Sequence, residues 1–508
     1  MTEKIKTTST TVSAPGKILL AGGYTVLESP NVGVVLAVDK KFYSTVVKHE
    51  PVPSSDSEPT NKKPKVEDSA TISVHSPQFG ATWKYNAKIS EQGLELTPDA
   101  DNKSTNPFVE KSLRITLCYL VVSQQQTLCD LEITILADND FYSVTPHLKK
   151  REWEATAENL AKLPKFLPCN LSSGSLQKTG LGSSAALTTS LVGALVLAMT
   201  GSCSGEDLDA AMRRKIHNLA QICHCHAQGK VGSGFDVSSA SYGSHVYQRF
   251  PKCLLSDLLQ ELDKVGDKKA MPPSKVETLQ KLVDENPENF KWPVVQKPLS
   301  WNTDLLQIML ADVSGGSESP SMARKILSWK AASDDVSCWT NLLQFNQQVV
   351  KLADDIVAAL DGADIGAMTK VLSQCKLEDG WNSSGSADEK TAKVGNVLCD
   401  MRKTLLECRK NLKSMGDLAG VPVEPAEQTA LADATMALSG VVASLVPGAG
   451  GYDALVVVYV NTPEVRDNIC DLWRNYKALA VCPLAVQYAK YGEGVNYVAE
   501  TPPYKMEE

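Results

Sequence analysis

Apolar residues in this chain occur in short runs and in longer ones. The runs Gly33–Val38, Leu131–Ala137 and Leu455–Val460 are short and rich in Val, Ile and Leu, and we predict that they are buried strands. The run Ala185–Met199 is longer and contains no proline, which predicts a buried helix. This pattern is typical of a globular protein in which helices and strands share an apolar core.

Strands and helices are also predicted for the rest of the chain, and no internal repeat is evident. Near the N-terminus the pattern predicts a strand at 10–12, a tight turn at Pro15-Gly16 and a second strand from Ile18 to a glycine corner before Tyr24. Further strands are predicted at 70–76, 80–85, 305–311 and 480–488. Helices are predicted at 107–123, 205–228, 322–329, 340–359, 390–415, 424–439 and 464–478, and a charged helical segment at 253–292.

Length and charge restrict the class of protein. A chain of 508 residues is too long for one hydrophobic core and predicts two or three domains. The polar, proline-containing stretch at 54–69 is predicted to be a surface insertion. The net charge of −8 argues against a nucleic-acid-binding protein, which needs a basic face, but it is compatible with a local basic pocket for phosphate.

Cysteine usage and the chain ends bear on the compartment. Thirteen cysteines without a CxxC pair predict buried thiols in a reducing compartment. The first residues lack the apolar segment of a secretory signal, and the run 185–199 is too short and too interrupted by Ser, Thr and Gly to predict a membrane span. We therefore expect a cytosolic protein with no membrane anchor. The C-terminal Lys-Met-Glu-Glu is not a peroxisomal Ser-Lys-Leu address, but another peroxisomal signal is compatible with the sequence.

The stretch before the long apolar run has the composition of a phosphate-binding loop. Gly180 and Gly182 lead into Ser183 and Ser184, and Lys178 lies just upstream. Glycines let the backbone approach a ligand closely, and the first turn of a helix presents unpaired N–H groups and partial positive charge to an anion. A Gly/Ser-rich turn that only caps a buried helix has the same composition. The loop is not of the GxxxxGK[ST] type.

Two further polar residues stand out beside glycine-rich stretches. Lys17 follows Ala-Pro-Gly at the start of an apolar segment, and Asp236 follows Gly-Ser-Gly-Phe. Taken alone, Lys17 is typical of a solvated strand end, and Asp236 is typical of a helix N-cap. The Cys223-His-Cys-His226 cluster invites a metal interpretation, but four consecutive residues on a helix point in different directions and no second ligand pair is present. We therefore expect that cluster to be part of a half-buried helix.

Four stretches occur in the order found in the GHMP kinases, the family of galactokinase, homoserine kinase, mevalonate kinase and phosphomevalonate kinase. They read Ala-Pro-Gly-Lys-Ile-Leu-Leu-Ala-Gly-Gly-Tyr around Lys17, Gly-Leu-Gly-Ser-Ser-Ala-Ala at 180–186, Gly-Ser-Gly-Phe-Asp-Val around Asp236, and Pro-Gly-Ala-Gly-Gly-Tyr-Asp at 447–453. The chain resembles this family over nearly its whole length, apart from 54–69 and 252–292.

The resemblance implies a fold. It implies an α+β, two-domain GHMP kinase fold with the active site in the cleft between the domains. The N-terminal ATP-binding domain would span 1–250 and contain a mixed sheet with a left-handed βαβ crossover. A helical connecting segment would span 251–300, and a C-terminal α/β sandwich domain would span 301–508.

The resemblance also implies an activity. The wording is nearest to the branch of the family whose acceptor is 5-phosphomevalonate, which is converted with ATP and Mg²⁺ to 5-diphosphomevalonate in the pathway to isoprenoids and sterols. The expected partners are these small molecules, with the chain a monomer or a homodimer. Two alternatives stay open: a kinase of the same fold that acts on mevalonate or a sugar, and a non-catalytic ligand sensor on that fold.

The resemblance implies a set of site residues, most of them in the matched motifs. For Lys230 and the Ser314–Ser317 loop, segments that only cover the cleft are an equal alternative. Lys17 and Asp236 are the implied catalytic pair, and Ser183 and Ser184 are the implied metal ligands. The ATP-binding candidates are Lys178, Gly180, Leu181, Gly182, Ser183, Ser184, Ala185 and, for adenine, Asn106. The substrate-binding candidates are Lys230, Ser233, Ser314, Gly315, Gly316, Ser317, Gly448, Gly450 and Gly451.

One departure from the family concerns the metal. In mevalonate kinase an acid about eleven residues before the catalytic aspartate binds Mg²⁺, and here that count reaches Cys225, with His224 and His226 beside it. The resemblance therefore leaves the ligation of Mg²⁺ open, and the missing acid argues against mevalonate as the acceptor.

Overall fold

The described residues cover most of the chain. A computed structural model describes 5–51, 69–169, 177–202, 208–266, 269–284, 292–299, 301, 303–313, 319–377, 388–484, 486–500 and 502–504. The predicted insertion at 54–69 lies outside these residues except for Ser69, and so do the substrate candidates Ser314, Gly315, Gly316 and Ser317.

Strands and helices alternate along the described chain. The strands are β1 (Ile5–Ala21), β2 (Val32–Pro51), β3 (Ser69–Ser76), β4 (Ala81–Ser90), β5 (Gly93–Pro98), β6 (Asp130–Ala137), β7 (His245–Gln248), β8 (Val295–Pro298), β9 (Leu306–Val313), β10 (Val441–Leu445), β11 (Ala454–Val460), β12 (Val481–Leu484), β13 (Tyr488–Ala489) and β14 (Asn496–Val498). The helices are α1 (Pro107–Leu117), α2 (Thr145–Lys150), α3 (Ala157–Ala161), α4 (Ser183–Thr200), α5 (Ala210–Ala227), α6 (Phe235–Tyr242), α7 (Cys253–Val265), α8 (Pro273–Val283), α9 (Ser319–Ala332), α10 (Ser337–Ala359), α11 (Ile365–Leu372), α12 (Glu389–Ala419), α13 (Ala426–Met436) and α14 (Pro463–Arg474).

A ten-stranded mixed sheet forms the frame of the N-terminal half. Its main path runs β14-β1-β2-β6-β3-β4-β5, with β13 and β7 also on β2 and β8 on β7. The pair β3–β6 is parallel, which places a crossover between these strands, and the other pairs are antiparallel. The hand of that crossover stays a prediction. Two strands from the end of the chain, β13 and β14, join this sheet, so the chain returns to its first domain.

A second, four-stranded antiparallel sheet lies in the C-terminal half. Its order is β10-β11-β9-β12. All seven residues of β11 are buried, as expected for a central strand with both faces covered. The two sheets and their helices give the mixed α/β architecture that the family resemblance implies, while the predicted domain limits stay a prediction.

Helix α4 is the buried core helix that the sequence predicts. It packs on β1 and β2, and apart from Ser184, Leu187 and Thr200 its residues are all buried. Within the described part of the chain it is also the one helix long and apolar enough to cross a membrane, with 83% of it buried inside the protein. This burial supports the core interpretation.

The start of the chain differs from the prediction. Instead of two strands and a turn, β1 is one continuous strand with register shifts between Pro15 and Lys17 and between Leu19 and Ala21. A β-bulge allows proline and glycine inside a strand, because it removes the need for a regular ladder at that position. Lys17 therefore lies in a bulged strand and not after a turn.

Other corrections concern where elements end. The predicted helical segment at 253–292 is two helices, α7 and α8, and the chain then enters β8, which pairs with β7. The glycine loop at 446–451 follows a strand, β10, so it joins two antiparallel strands and not a helix and a strand. Strands as short as β10 and β8 carry too few residues for a clear period.

Candidate active site

The phosphate-type loop leads directly into α4, as predicted. Gly180 and Gly182 both have φ of +77°, in the left-handed region that favours glycine, and Gly182 is the N-cap of the helix. The first turn of α4 therefore begins at Ser183, where the N–H groups of a helix start are available to an anion. Ala185 is buried behind this turn and its N–H donates to the Gly182 carbonyl.

Lys17 is held against this loop by both its backbone and its side chain. Its backbone N–H donates to the Leu181 carbonyl at 2.9 Å, and its Nζ donates to the Gly180 carbonyl at 2.6 Å. The ammonium also lies 5.5 Å from the centre of the Phe235 ring. Burial lowers the pKa of Lys17, and the negative charge of Asp236 acts in the opposite direction.

Asp236 is in the first turn of α6, whose N-cap is Gly234 with φ of +86°. Its Oδ1 accepts a hydrogen bond from the Val237 N–H at 2.9 Å, and its Oδ2 lies 3.8 Å from Nε2 of His224. The predicted N-cap role is therefore taken by Gly234, and the Asp236 carboxylate is left at the edge of the cleft with 19% of its side chain exposed.

His224 is a site residue that the sequence analysis did not single out. It is on α5 with 2% of its side chain exposed, and its Nε2 lies 3.1 Å from the Ser184 hydroxyl and 3.4 Å from Nε2 of Gln228. The Phe108 ring packs against it at 5.4 Å. Burial lowers its pKa, Asp236 raises it and Lys230 lowers it further. The spacing counted from Asp236 pointed to Cys225, whose thiol instead accepts from Gln221 in the core.

The two loop serines have different protein partners. Ser184 contacts His224, as described, and lines the cleft. Ser183 is 7% exposed and hydrogen-bonds to Tyr142, whose pKa is raised chiefly by burial. The Ser183 and Ser184 hydroxyls, which the resemblance implies as metal ligands, are therefore held by two different side chains.

The second glycine loop closes the cleft from the C-terminal half. The Gly448 N–H donates to the Leu19 carbonyl at 3.2 Å, and the Tyr24 hydroxyl donates to the Ala449 carbonyl. Gly450 has φ of +79°, and a Cβ there would lie 2.1 Å from the Val423 carbonyl oxygen, so no other residue fits. These contacts fix the loop to β1 and to the chain that follows α12.

These elements enclose a cleft of about 440 Å³. Most of the predicted site residues line it: Lys17, Lys178, Gly180, Leu181, Gly182, Ser183, Ser184, Lys230, Ser233, Asp236, Gly448 and Gly450. Residues that the prediction missed also line it: Tyr24, Phe141, Gln228, Phe235 and Asp453. Tyr24, Phe235 and Asp453 lie in the matched glycine-rich motifs, whereas Phe141 and Gln228 lie outside the four matched stretches.

Three predicted residues are not among those lining the cleft. Ala185 lies one residue inside the helix, and Gly451 donates its N–H to the Val423 carbonyl at 2.9 Å behind the glycine loop. Asn106 is the N-cap of α1, where its side chain accepts from the N–H groups of Phe108 and Val109. The role of Asn106 toward adenine stays a prediction.

The cleft contains oxygen ligands of the kinds that bind Mg²⁺ when a nucleotide already coordinates the ion. In the part of the chain that the structure describes, no group of three or more His, Cys, Asp or Glu side chains could hold a metal ion. Mg²⁺ in phosphoryl-transfer enzymes is bound through one or two carboxylates, waters and substrate phosphates and does not need an all-protein cage. Asp236 and the serine hydroxyls meet that requirement.

Comparison with curated proteins finds relatives over almost the full length. A phosphomevalonate kinase of Aspergillus fumigatus is 36% identical over 490 residues, covering 93% of this chain and 91% of that protein. A phosphomevalonate kinase of Arabidopsis thaliana described as peroxisomal is 32% identical over 503 residues, covering 92% of this chain and 93% of that protein. A search of family models finds no match.

Comparison with solved structures finds the same fold. A Lin0012 protein of Listeria innocua superposes with a TM-score of 0.58 at 17% identity, covering 97% of this chain and 100% of that one. The phosphomevalonate kinase of Streptococcus pneumoniae, solved with phosphomevalonate and AMPPNP, gives a TM-score of 0.50 at 13% identity and covers 94% and 99% of the two chains.

Proposed function

Since this chain belongs to the phosphomevalonate kinases, a branch of the GHMP kinases, we propose that its cleft transfers the terminal phosphoryl group of ATP to the phosphate of 5-phosphomevalonate. The products are ADP and 5-diphosphomevalonate, an intermediate of the mevalonate pathway. The observation that carries the proposal is that Lys17 is held on the Gly180–Ser184 loop beside Asp236 in a chain whose curated relatives have this activity.

The acceptor determines what the site must supply. A phosphate monoester has a second pKa near ~6, so at pH 7 its oxygen is mostly ionised already and a general base has little to remove. The barrier is then the repulsion between two phosphate groups, and positive charge and positioning become the main catalytic requirements. A mevalonate kinase, by contrast, must deprotonate an alcohol.

Lys17 supplies positive charge next to the transferred group. Its Nζ is placed by the Gly180 carbonyl, and the N–H groups at the start of α4, which follows the same loop, are the proposed contacts to the nucleotide phosphates. The role of Asp236 is to hold Lys17 charged and in place, because the field of its carboxylate counteracts the lowering of the Lys17 pKa by burial. Lys178 and Lys230 line the same cleft and add positive charge at its rim.

The acceptor phosphate is placed between the two halves of the molecule. Lys230, Ser233 and the Gly448–Gly450 backbone line the cleft and are the proposed contacts to the acceptor phosphate. Residues 314–317, which lie outside the described residues, complete this set as a proposal from the sequence.

Mg²⁺ would be held by Ser183, Ser184 or Asp236 together with nucleotide phosphates. When bound, the ion neutralises charge that develops on the phosphoryl oxygens. The compartment we propose is the cytosol, with the peroxisome as the alternative that the name of the Arabidopsis relative supports.

Product identity tests the proposal directly. Phosphorus NMR of the reaction with MgATP and 5-phosphomevalonate should show loss of the monoester signal and growth of a diphosphate ester signal, together with ADP. If ATP is consumed but the monoester signal is unchanged, the acceptor is wrong. If ATP binds and nothing turns over, the chain is a sensor on this fold.

A further inference from the structure

The Nε2 atom of His224 lies among three groups that belong to the cleft. It is 3.1 Å from the Ser184 hydroxyl, 3.4 Å from the side-chain nitrogen of Gln228 and 3.8 Å from Oδ2 of Asp236. These groups come from α4, from the end of α5 and from α6. The imidazole is therefore the point where the phosphate loop and the catalytic aspartate are joined through side chains.

The hydrogen-bond partners define what Nε2 does. The amide nitrogen of Gln228 can only donate, so the atom it contacts must carry a lone pair. An imidazole with an unprotonated Nε2 meets this condition. The Ser184 hydroxyl, at 3.1 Å the nearer donor, then donates its proton to the lone pair of this nitrogen, and the Gln228 amide shares that lone pair at 3.4 Å.

This arrangement prepares Ser184 to bind a cation. A hydroxyl that donates its proton to a protein acceptor keeps its oxygen lone pairs for another partner. Ser184 lines the cleft, whereas His224 is buried behind it with 2% of its side chain exposed. Groups that orient a metal ligand from behind in this way raise its basicity and fix its direction.

We propose that His224 is a positioning residue that fixes the Ser184 hydroxyl as a ligand for the Mg²⁺ of the bound nucleotide. The inference rests on the proposed function, because it assumes that a metal–nucleotide complex occupies the cleft. It accounts for the absence of an acid at the Cys225 position: the neighbouring residue on α5 faces the site and works through Ser184, while Cys225 faces the core.

Two substitutions test this role, because they introduce the same amide group on side chains of different length. His224→Gln places a side-chain carbonyl near the position of Nε2, whereas His224→Asn reaches only to the position of Nδ1. The matched control is the same pair of substitutions at His226, which is also buried on α5 but hydrogen-bonds to Asp263 at 3.1 Å. Paramagnetic resonance measures the affinity of Mn²⁺ for the enzyme–ADP complex, and calorimetry in EDTA measures ADP affinity without metal.

The expected result separates metal binding from nucleotide binding. His224→Asn should weaken Mn²⁺ binding to the enzyme–ADP complex by ~10-fold or more, and His224→Gln should restore it to within about threefold of the wild type, as is usual for groups behind a metal ligand. Metal-free ADP affinity should stay within about twofold of the wild type in all four variants, because none of them changes the loop N–H groups that bind phosphate.

The connection through Ser184 gives a second readout. Ser184→Ala should weaken Mn²⁺ binding, and His224→Asn combined with Ser184→Ala should be no worse than Ser184→Ala alone, because the histidine acts only through the hydroxyl. Additive losses in the double variant, equal losses in the Asn and Gln variants, or equal losses at His226 would each overturn the proposal.

The readouts also separate this proposal from the proposed function. Mn²⁺ and ADP binding need no acceptor, so they can be measured even if 5-phosphomevalonate is not turned over. If the wild type does not turn over 5-phosphomevalonate, the proposed function is wrong, but Mn²⁺ binding can still be measured. If the wild-type ADP complex itself fails to bind Mn²⁺, the His224 proposal is wrong.

Discussion

Gly182 lies against the aliphatic stem of Lys17. A Cβ at Gly182 would be 3.0 Å from Cε and 3.1 Å from Cγ of the lysine, closer than ordinary van der Waals contact. The glycine therefore serves two purposes, since it provides the left-handed backbone conformation before α4 and leaves space for the Lys17 side chain.

The two glycines of the loop offer a matched comparison. Gly180→Ala and Gly182→Ala both incur the cost of a left-handed residue, about 1–2 kcal/mol, but a Cβ at Gly180 has its nearest neighbour at 4.0 Å. We expect Gly182→Ala to lower kcat by ~10-fold more than Gly180→Ala, because it also displaces Lys17. Steady-state kinetics with melting temperatures of both variants check this. Equal kcat values for the two variants would contradict the packing argument.

Removal of the charges at Lys17 and Asp236 tests the division of roles. We expect Lys17→Met and Asp236→Asn each to lower kcat by ~10²-fold or more, the scale of losing one transition-state contact. Single-turnover measurements at saturating MgATP separate this effect from binding. Wild-type rates in both variants would eliminate the assignment.

The geometry of Lys17 shows what could and could not be predicted from the sequence. The composition of the glycine-rich loop pointed to Gly180 and Gly182, because loops that bind phosphate need glycine near a helix start. Lys17 and Asp236 were predicted only through the resemblance of their motifs to the GHMP kinases. The motifs could not show that Lys17 is in a bulged strand, since the hydrophobic pattern on both sides of Pro15-Gly16 looks the same for one strand or two.

Contacts between residues far apart in the chain also could not be predicted from the sequence pattern. The cluster that contains His224 was set aside because four consecutive residues on a helix point in different directions and no second ligand pair is present. Only the packing of α5 against α4 brings His224 to Ser184. In the same way, the short strands β13 and β14 carry no period of their own, and they are strands because β1 and β2 offer free edges. Such contacts depend on the whole fold and not on neighbouring residues.

A buried ion pair supports the second glycine loop. Arg409 donates to both carboxylate oxygens of Glu424 at 2.8 Å, and their side chains are 5% and 4% exposed. Val423, the neighbour of Glu424, packs on Gly450 and accepts from Gly451. We expect Glu424→Ala to lower the free energy of unfolding by about 3–5 kcal/mol, because Arg409 is left buried without its main partner.

Urea unfolding measures this loss, and a double substitution controls for it. Arg409→Met combined with Glu424→Leu removes both charges and should be less destabilising than Glu424→Ala alone, since no uncompensated charge remains. Equal stability of the wild type and Glu424→Ala would show that Asp433, which also pairs with Arg409, is sufficient.

Asp312 gives a pH-dependent contribution to stability. It is 6% exposed at the end of β9 and accepts from the Ser143 hydroxyl at 2.5 Å, and burial raises its pKa from 3.8 to about 6. The folded protein therefore holds this proton more tightly than the unfolded chain does. The stabilising contribution is present below pH ~4 and is lost as the pH rises through about 6.

Asp312→Asn removes this titration and keeps an oxygen for Ser143. We expect the unfolding free energy of the wild type relative to Asp312→Asn to fall by about 2 kcal/mol between pH 4 and pH 7, because most of the free energy that corresponds to the shift from 3.8 to about 6 is lost in this range. Urea unfolding at several pH values checks this. Parallel curves for the two proteins would contradict the raised pKa.

The most direct test of the account is ADP release by the purified protein with MgATP, measured with 5-phosphomevalonate and with mevalonate at the same concentration. We expect turnover with 5-phosphomevalonate and a kcat/KM for mevalonate lower by ~10³-fold or more, because a site built for a phosphate discriminates strongly against an acceptor that lacks it. Equal or faster ADP release with mevalonate would contradict the account of the acceptor site.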